Sequence, residues 1–201
     1  MKYFQDIGTI NFKWDQVANA FWQRYPNPFS KHVLSEDVIS RHVDDKKLFT
    51  KRLLKKTNVK TGPVQRVVGS ASFTFVVEES IVDPVKKIIT TYTRNIGLTK
   101  FVYVDEKCVY KVNPNNSDSV VCEKQAWVES PRSGWYGKVI CSFVHNRFKG
   151  NAKKAFNGFN HVLESLYGTT PHTLTMKEKL QDKAKKATDV AKKVKGYIPK
   201  S

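Results

Sequence analysis

Two groups of residues in this chain have the types and spacing to capture an anion. The first centres on one arginine. In "AFWQRYPNPFSKHV", Ala20 to Val33, Arg24 stands among Phe21, Trp22, Tyr25 and Phe29, with Trp14 just upstream. Aromatics at that density build core, and a guanidinium buried without a counter-charge is costly. Arg24 therefore either sits at a solvated helix edge or meets an anion inside the protein. The second group is Arg147, Asn151 and Lys154, at i, i+4 and i+7. That spacing sets a guanidinium, an amide and an ammonium on one face of a helix.

These groups need elements to hold them. Trp14, Val17, Ala18, Phe21, Trp22 and Tyr25 recur on one helical face, and the prolines of "YPNP" end the segment. On a helical wheel Arg24 lies beside Val17, at the rim of that face, where it reaches the seam between helix and core. From Trp135 to Tyr167 the helical period returns, with Phe148, Ala152, Ala155, Phe156, Phe159, Val162, Leu163 and Leu166 in one stripe and Gly168 as a C-cap. Tyr136, Ile140 and Phe143 form a second stripe, which continues into Arg147, Asn151 and Lys154. If that face covers a concave sheet, its apolar part lines a cavity and its basic part lies at one end. The alternative is that Arg147 and Lys154 flank the packed stripe and point to water.

The segments between the helices read as strands. "MKYFQDIGTINF" is a first strand, and six runs rich in β-branched and aromatic residues follow: "HVLSEDVISRHV", "KLFTKRLLKK", "ASFTFVVEESIVD", "KKIITTYTRNI", "TKFVYVDEKCVYKV" and "SVVCEKQAWVES". Short turn signals separate most of them, which predicts an antiparallel meander. One connection, Thr57 to Ser70, is longer and apolar in its middle, as lids and binding loops are. Its candidate residues are Asn58, Gly62, Pro63, Val64, Val67, Val68 and Gly69.

Charge narrows the partners. The chain carries a net +17, which favours anions: nucleic acid, acidic membrane or acidic protein. Beyond Pro171 the composition turns to lysine and alanine. Lys177 to Ser201 holds nine lysines against Glu178, Asp182 and Asp189, a net +6, which leaves +11 on the rest. We read residues 1–170 as one domain and 171–201 as a tail, a conditional helix on an acidic membrane or a solvated, disordered segment. A nucleic-acid module is disfavoured, because the aromatics follow core periodicity and no nucleic-acid signature occurs. An enzyme is disfavoured too. His32, His42, His145, His161 and His172 are scattered, with no nucleophile motif and no carboxylate dyad. Cys108, Cys122 and Cys141 form no CxxC pair, so neither a disulfide framework nor a structural zinc site is expected. Cys108 and Cys122 face each other across the "NPNNSD" hairpin, in a geometry often unfavourable for a bridge. No cofactor is implied.

"WQRYPNPFSKHVLSEDVISRHV" and "KRLLKKTN", with "SIVDP", "TTYTRNI" and "NRFKGNAKKAFNGF", resemble the PRELI-like family of mitochondrial lipid-transfer proteins, colinearly over residues 1–168. The resemblance implies an α+β fold: a curved antiparallel sheet of about seven strands gripping a long C-terminal helix, with a lipid tunnel between them. It implies a carrier of phosphatidic acid, or phosphatidylserine in the Slowmo-like branch, across the mitochondrial intermembrane space, in support of cardiolipin synthesis. It implies a heterodimer with a small twin-CX9C helical-hairpin protein. The family's headgroup positions fall on Arg24, His32, Lys56, Arg147, Asn151 and Lys154. Arg24 and His32 match the phosphatidic-acid branch, and Arg147 stands where some relatives have lysine. One departure is the lid, where the family's tryptophan after proline is absent from "VKTGPVQRVVG". Convergent cations repel when empty, so Arg24, Arg147 and Lys154 are expected to behave alike when removed: little loss of stability, steep loss of transfer.

Overall fold

The computed structural model describes residues 1–57 and 73–169. The lid candidate, from Asn58 to Ser70, and the tail beyond Thr169 lie outside them. Met1–Gly168 forms one compact unit. It begins with β1 (Lys2–Ile10) and the short helix α1 (Trp14–Ala20), which tightens into a 3-10 turn (Phe21–Gln23). Six strands follow: β2 (Val33–Asp44), β3 (Lys47–Thr57), β4 (Phe73–Asp83), β5 (Ile88–Asn95), β6 (Tyr103–Asn113) and β7 (Asn116–Glu129). The long helix α2 (Gly134–Tyr167) closes the unit.

The sheet order is β1-β7-β6-β5-β4-β3-β2, antiparallel throughout. Sequential hairpins build the meander, and β1 returns to pair with β7. This is the α+β architecture expected from the sequence: seven antiparallel strands and one long C-terminal helix. The tight β2–β3 turn places Asp45 and Lys46 at φ 43° and 59°, the left-handed twist that suits a two-residue hairpin.

Alternation sets what each strand sends inward. On β3, Thr50, Arg52 and Leu54 are buried; on β4, Val76, Glu78, Ser80 and Val82 are buried. The register pairs Arg52 directly with Glu78, so opposite charges meet on the core face. A one-residue slip would turn both toward solvent.

The main core gathers Ile10, Phe12, Trp14, Val17, Phe21, Tyr110, Phe159 and Leu163 where α1 and the second half of α2 meet the sheet. A smaller cluster of Val102, Val128, Ile140 and Cys141 seats the first half of α2. Along the expected α2 stripe, Ala152, Phe159 and Leu163 are buried, while Phe148, Ala155 and Phe156 are only half-buried. Gly168, at φ 80°, ends the helix, and its N–H donates to the Glu164 carbonyl at 2.9 Å. Cys108 and Cys122 lie diagonally on β6 and β7 as free thiols, Sγ to Sγ 3.4 Å.

The position of α2 depends on a close approach. A Cβ at Gly158 would lie 2.9 Å from Asn27 Cγ and nearer still to Oδ1. Asn27 is itself fixed, because Nδ2 donates to the Arg24 carbonyl at 2.7 Å and Oδ1 accepts from the Phe29 N–H at 2.9 Å. The helix therefore rides on the side chain that holds the Arg24 backbone. Gly158→Ala is expected to destabilise the protein by about 1–3 kcal/mol, as overpacking does. A denaturation midpoint equal to wild type would show that the helix stands off from Asn27.

Candidate functional site

A cavity of about 270 Å³ lies between the concave face of the sheet and α2. Leu54, Val102, Val104 and Tyr110 line it from the sheet side; Ile140, Phe143, Phe148, Ala152 and Phe156 line it from the helix. Phe148 and Phe156 are half-buried because each borders this space on one side; on the other, Phe148 meets Phe4 edge-on at 5.5 Å and Phe156 packs against the main core. Charged and polar groups also reach the wall, among them Arg24, Glu78, His32, Lys56, Arg147 and Asn151. Five of the six site residues expected from sequence thus share one cavity. Lys154 is exposed and stands outside the lining.

His32 and Lys56 are brought together by the start of the β2–β3 ladder. His32 immediately precedes β2, the Thr57 N–H donates to its carbonyl at 2.8 Å, and Lys56 is register partner to Val33. Arg147 and Asn151 come from the middle of α2. The His32 imidazole registers the convergence: burial, then the charges of Lys56, Arg147 and Lys154, pull its pKa down to about 4. Lys154 is thus close enough to act on His32 although it is not part of the wall. Among the described residues no carboxylate forms a salt bridge with Lys56, Arg147 or Lys154.

Arg24 is in a different state. Its Nη2 donates to both carboxylate oxygens of Glu78, at 2.8 and 2.9 Å. Arg52 donates to the same Glu78 and, through Nη1, to Glu36 at 3.0 Å. The Arg24 guanidinium lies 4.0 Å from the Phe21 ring centroid, and that of Arg52 lies 5.2 Å from the Phe21 and Trp22 centroids. Burial alone would raise the Glu78 pKa, but Arg24 and Arg52 hold it down at about 2. Burial likewise disfavours the charge on Arg24, and Glu78 more than offsets it. Of the two alternatives the sequence left for Arg24, a solvated edge or an internal anion, the structure takes the second, and the protein itself supplies the anion. This corrects the expectation that Arg24 behaves like Arg147: one is locked in a buried pair, the other faces an unpaired field.

Sequence reasoning missed the partners. Arg52 and Glu78 were legible only as alternate residues on adjacent strands, and their opposition required the register. A second pair was missed in the same way. Lys124 Nζ lies 3.1 Å from Glu106 Oε1, and both residues border the cavity. Burial would lower the Lys124 pKa, but Glu106 more than offsets it.

Paired charges thus hold the sheet face, cations without a salt-bridged carboxylate among the described residues gather at one part of the cavity, and apolar side chains line much of the helix wall. That arrangement suits an amphipathic anion, held by charge at one end and by apolar contact along its length.

Solved structures with this fold include a Thermus thermophilus protein (TM-score 0.57, 11% identity, 83% of this chain and 99% of that one). The Zhui aromatase/cyclase from a Streptomyces species is equally similar (TM-score 0.57, 9% identity, 81% and 93%). At such identities the likeness shows the fold alone, a sheet gripping a long helix. Sequence defines the family: the PRELI-like family profile matches residues 15–169, and the chain belongs to that family. Curated relatives include PRELI domain-containing protein 1, mitochondrial, from Gallus gallus, 42% identical over 194 residues, spanning 95% of this chain and 87% of the relative. Another is the Saccharomyces cerevisiae Protein UPS1, mitochondrial, 34% identical over 151 residues, spanning 75% and 86%.

Two outcomes follow for the lipid-free protein. Glu78→Ala strands the buried Arg24 guanidinium, leaves Arg52 with Glu36 alone, and is expected to cost about 3–5 kcal/mol. Arg24→Ala costs less, since Arg52 still serves Glu78, and Arg147→Ala leaves the melting temperature near wild type. Equal melting temperatures for all three variants would show that the buried pair contributes nothing.

The pH dependence has a definite sign. Both Glu78 and His32 titrate lower in the fold than their ordinary values of 4.5 and 6.5. The unfolded chain therefore takes up protons first, and stability falls with acid. The His32 contribution is lost as pH drops from about 6.5 to 4, and that of Glu78 from about 4.5 to 2. His32→Gln should flatten the first interval of a Tm–pH curve and Glu78→Gln the second.

Proposed function

We propose that this protein is a mitochondrial phospholipid carrier that extracts phosphatidic acid from one membrane and delivers it to another across the intermembrane space, supporting cardiolipin synthesis. The observation that carries the reading is the cluster of His32, Lys56 and Arg147, with Lys154 close by, which meets no salt-bridged carboxylate among the described residues and stands at a cavity lined on α2 by Ile140, Phe143, Phe148, Ala152 and Phe156. A phosphate monoester accepts several charge-assisted hydrogen bonds at once, and arginine offers it a planar fork. Asn151 adds an uncharged amide beside Arg147. Arg24 contributes from the buried side, as the cation whose position Glu78 fixes.

The acyl chains explain why a cavity is needed. Two chains with roughly thirty methylenes, at about 0.8 kcal/mol each, would cost on the order of 25 kcal/mol exposed to water. An apolar enclosure offsets that cost, and no bond is made or broken, so the protein acts as a carrier rather than a catalyst. The names of the relatives, mitochondrial in each case, support a mitochondrial location. In this reading residues 1–170 are the transfer domain and 58–70 the lid. The partner is a small twin-CX9C helical-hairpin protein, and the basic tail 171–201 is drawn to acidic membranes.

Transfer between liposomes tests the reading. Phosphatidic acid should move far faster than phosphatidylcholine, and equal rates would remove the headgroup assignment. Arg147→Ala and Lys154→Ala should each lower phosphatidic-acid transfer about tenfold or more while the lipid-free melting temperature stays put.

Phosphate binding also has a spectroscopic signature. In the empty site Lys56 and Arg147 oppose the protonation of His32; a bound phosphate supplies the missing negative charge. The His32 pKa, followed by NMR, should therefore rise from about 4 when phosphatidic acid is loaded. An unchanged titration would place the headgroup elsewhere.

A further inference from the structure

The sheet floor of the cavity carries two thiols that neither the buried ion pairs nor the cation cluster uses. They belong to the β6–β7 hairpin, whose register sets Cys108 opposite Lys124 and Tyr110 opposite Cys122. The cysteines are therefore not direct partners; they form one diagonal of that quartet. The twist of a sheet draws one such diagonal together, and here it leaves Sγ 3.4 Å from Sγ. A disulfide needs about 2.0 Å, so the sulfurs have on the order of 1.4 Å left to close. Rotation of the two side chains supplies most of that movement.

The sulfurs differ in access. Cys108 is 1% exposed and packs in the main core with Phe21, Tyr110 and Phe159. Cys122 belongs to the same cluster but also lines the cavity. Its register partner on β1 is Gly8, which lines the cavity as well and has no side chain to screen the sulfur. Two positions back along β1, Asp6 borders the same cavity and is exposed, so this wall reaches solvent beside Cys122.

The pair is also arranged to give up a proton. The hydrogen bond with Cys122 holds the Cys108 thiol below its usual pKa against the opposing effect of burial, and the charge of Lys124 adds to it. The same hydrogen bond, with burial, pushes the Cys122 thiol up. One proton thus leaves more easily than from a lone buried thiol, and the other stays between the two sulfurs.

We propose that Cys108 and Cys122 form a redox modification site: a small peroxide entering the cavity converts the two thiols to a disulfide that joins β6 to β7, and cargo in the cavity shields them. The Cys122 sulfur, as thiolate, attacks one peroxide oxygen. The O–O bond breaks, and the departing hydroxide takes up the proton that Cys122 released and leaves as water. Cys122 is then a sulfenic acid. The Cys108 sulfur attacks Cys122 Sγ, the S–S bond forms, the S–O bond breaks, and the second hydroxide leaves as water with the Cys108 proton. The peroxide is reduced to two waters, and the two thiols are oxidised to one disulfide. The shielding rests on the carrier reading; the bond rests on the thiols alone. Cys141 is an internal control, since it sits among Val102, Val128 and Ile140 and does not line the cavity.

The test treats the full, lipid-free chain with hydrogen peroxide. Free thiols should fall from three to one, the mass should drop by two hydrogens, and the peptides carrying Cys108 and Cys122 should be found joined. The oxidised protein should melt about 5 °C or more above the reduced one, because the bond closes the hairpin in the unfolded chain. Dithiothreitol should reverse both changes. Cys141→Ser should cross-link as wild type does. Retention of all three thiols, oxygen added to a cysteine without joined peptides, a bond through Cys141, or a lower melting temperature after oxidation overturns the proposal. Protein loaded with phosphatidic acid, the loading verified by phosphorus content after gel filtration, should cross-link severalfold more slowly. Equal rates in loaded and lipid-free protein overturn the route through the cavity and the proposal with it. A chain that retains no phosphatidic acid yet forms the bond would instead remove the carrier reading and leave the thiol site standing.

Discussion

The structure is organised around one carboxylate. Glu78 lies buried on the core face of β4, between two guanidinium groups from different parts of the chain: Arg52 across the ladder and Arg24 from the 3-10 turn after α1. None of the three is tolerable there alone. A guanidinium or carboxylate out of water needs a partner with good geometry, and Glu78 serves both arginines while Glu36 takes a further donor from Arg52. The contact fixes the β3–β4 register, because only that register brings Arg52 opposite Glu78. It also draws the aromatic segment carrying Arg24 onto the sheet. From there the order spreads outward: the Arg24 carbonyl holds Asn27, and Asn27 is the surface on which Gly158 allows α2 to ride.

The consequence for the site is a division of labour among cations. Arg24 and Arg52 are neutralised within the fold and hold it together. Lys56, Arg147 and Lys154 have no described carboxylate to meet and act together on His32. A carboxylate packed against them would quiet their mutual repulsion, and none is paired with them among the described residues. His32, partly buried beside them, is held below its usual pKa by burial and by their charge.

Part of the cavity wall is a braced loop. The β5–β6 loop turns Leu98 and Phe101 inward and Ile96 and Lys100 outward, and the β7–α2 turn locks it in place. Charge in the middle of α2 and apolar lining along the sheet come from separate elements, so each can be perturbed without dismantling the other.

Much of the architecture was legible in the chain. Period-two runs such as "TFVVEESIV" and "VYVDEKCVYKV" mark strands, and short turns between them require antiparallel neighbours, because no other pairing closes so tightly. The 3.6 period from Trp135 to Tyr167 marks the long helix, and the change of its second stripe from Ile140 and Phe143 to Arg147 and Asn151 marks a face that is apolar at one end and basic further along. The isolation of Arg24 among aromatics left a solvated edge or an internal anion, and did not say which anion. That was decided in three dimensions. Glu78 lies 54 positions from Arg24, and alternation says only that one face of β4 carries it; register and sheet curvature choose the face and the partner. The cavity, the pairing of Lys124 with Glu106 and the exposure of Trp135 have the same origin. Local pattern determines what each segment is, because it depends on residues a few positions apart. Which charges are paired, and which remain free for a ligand, depends on residues far apart in sequence that only the folded sheet brings within a hydrogen bond of each other.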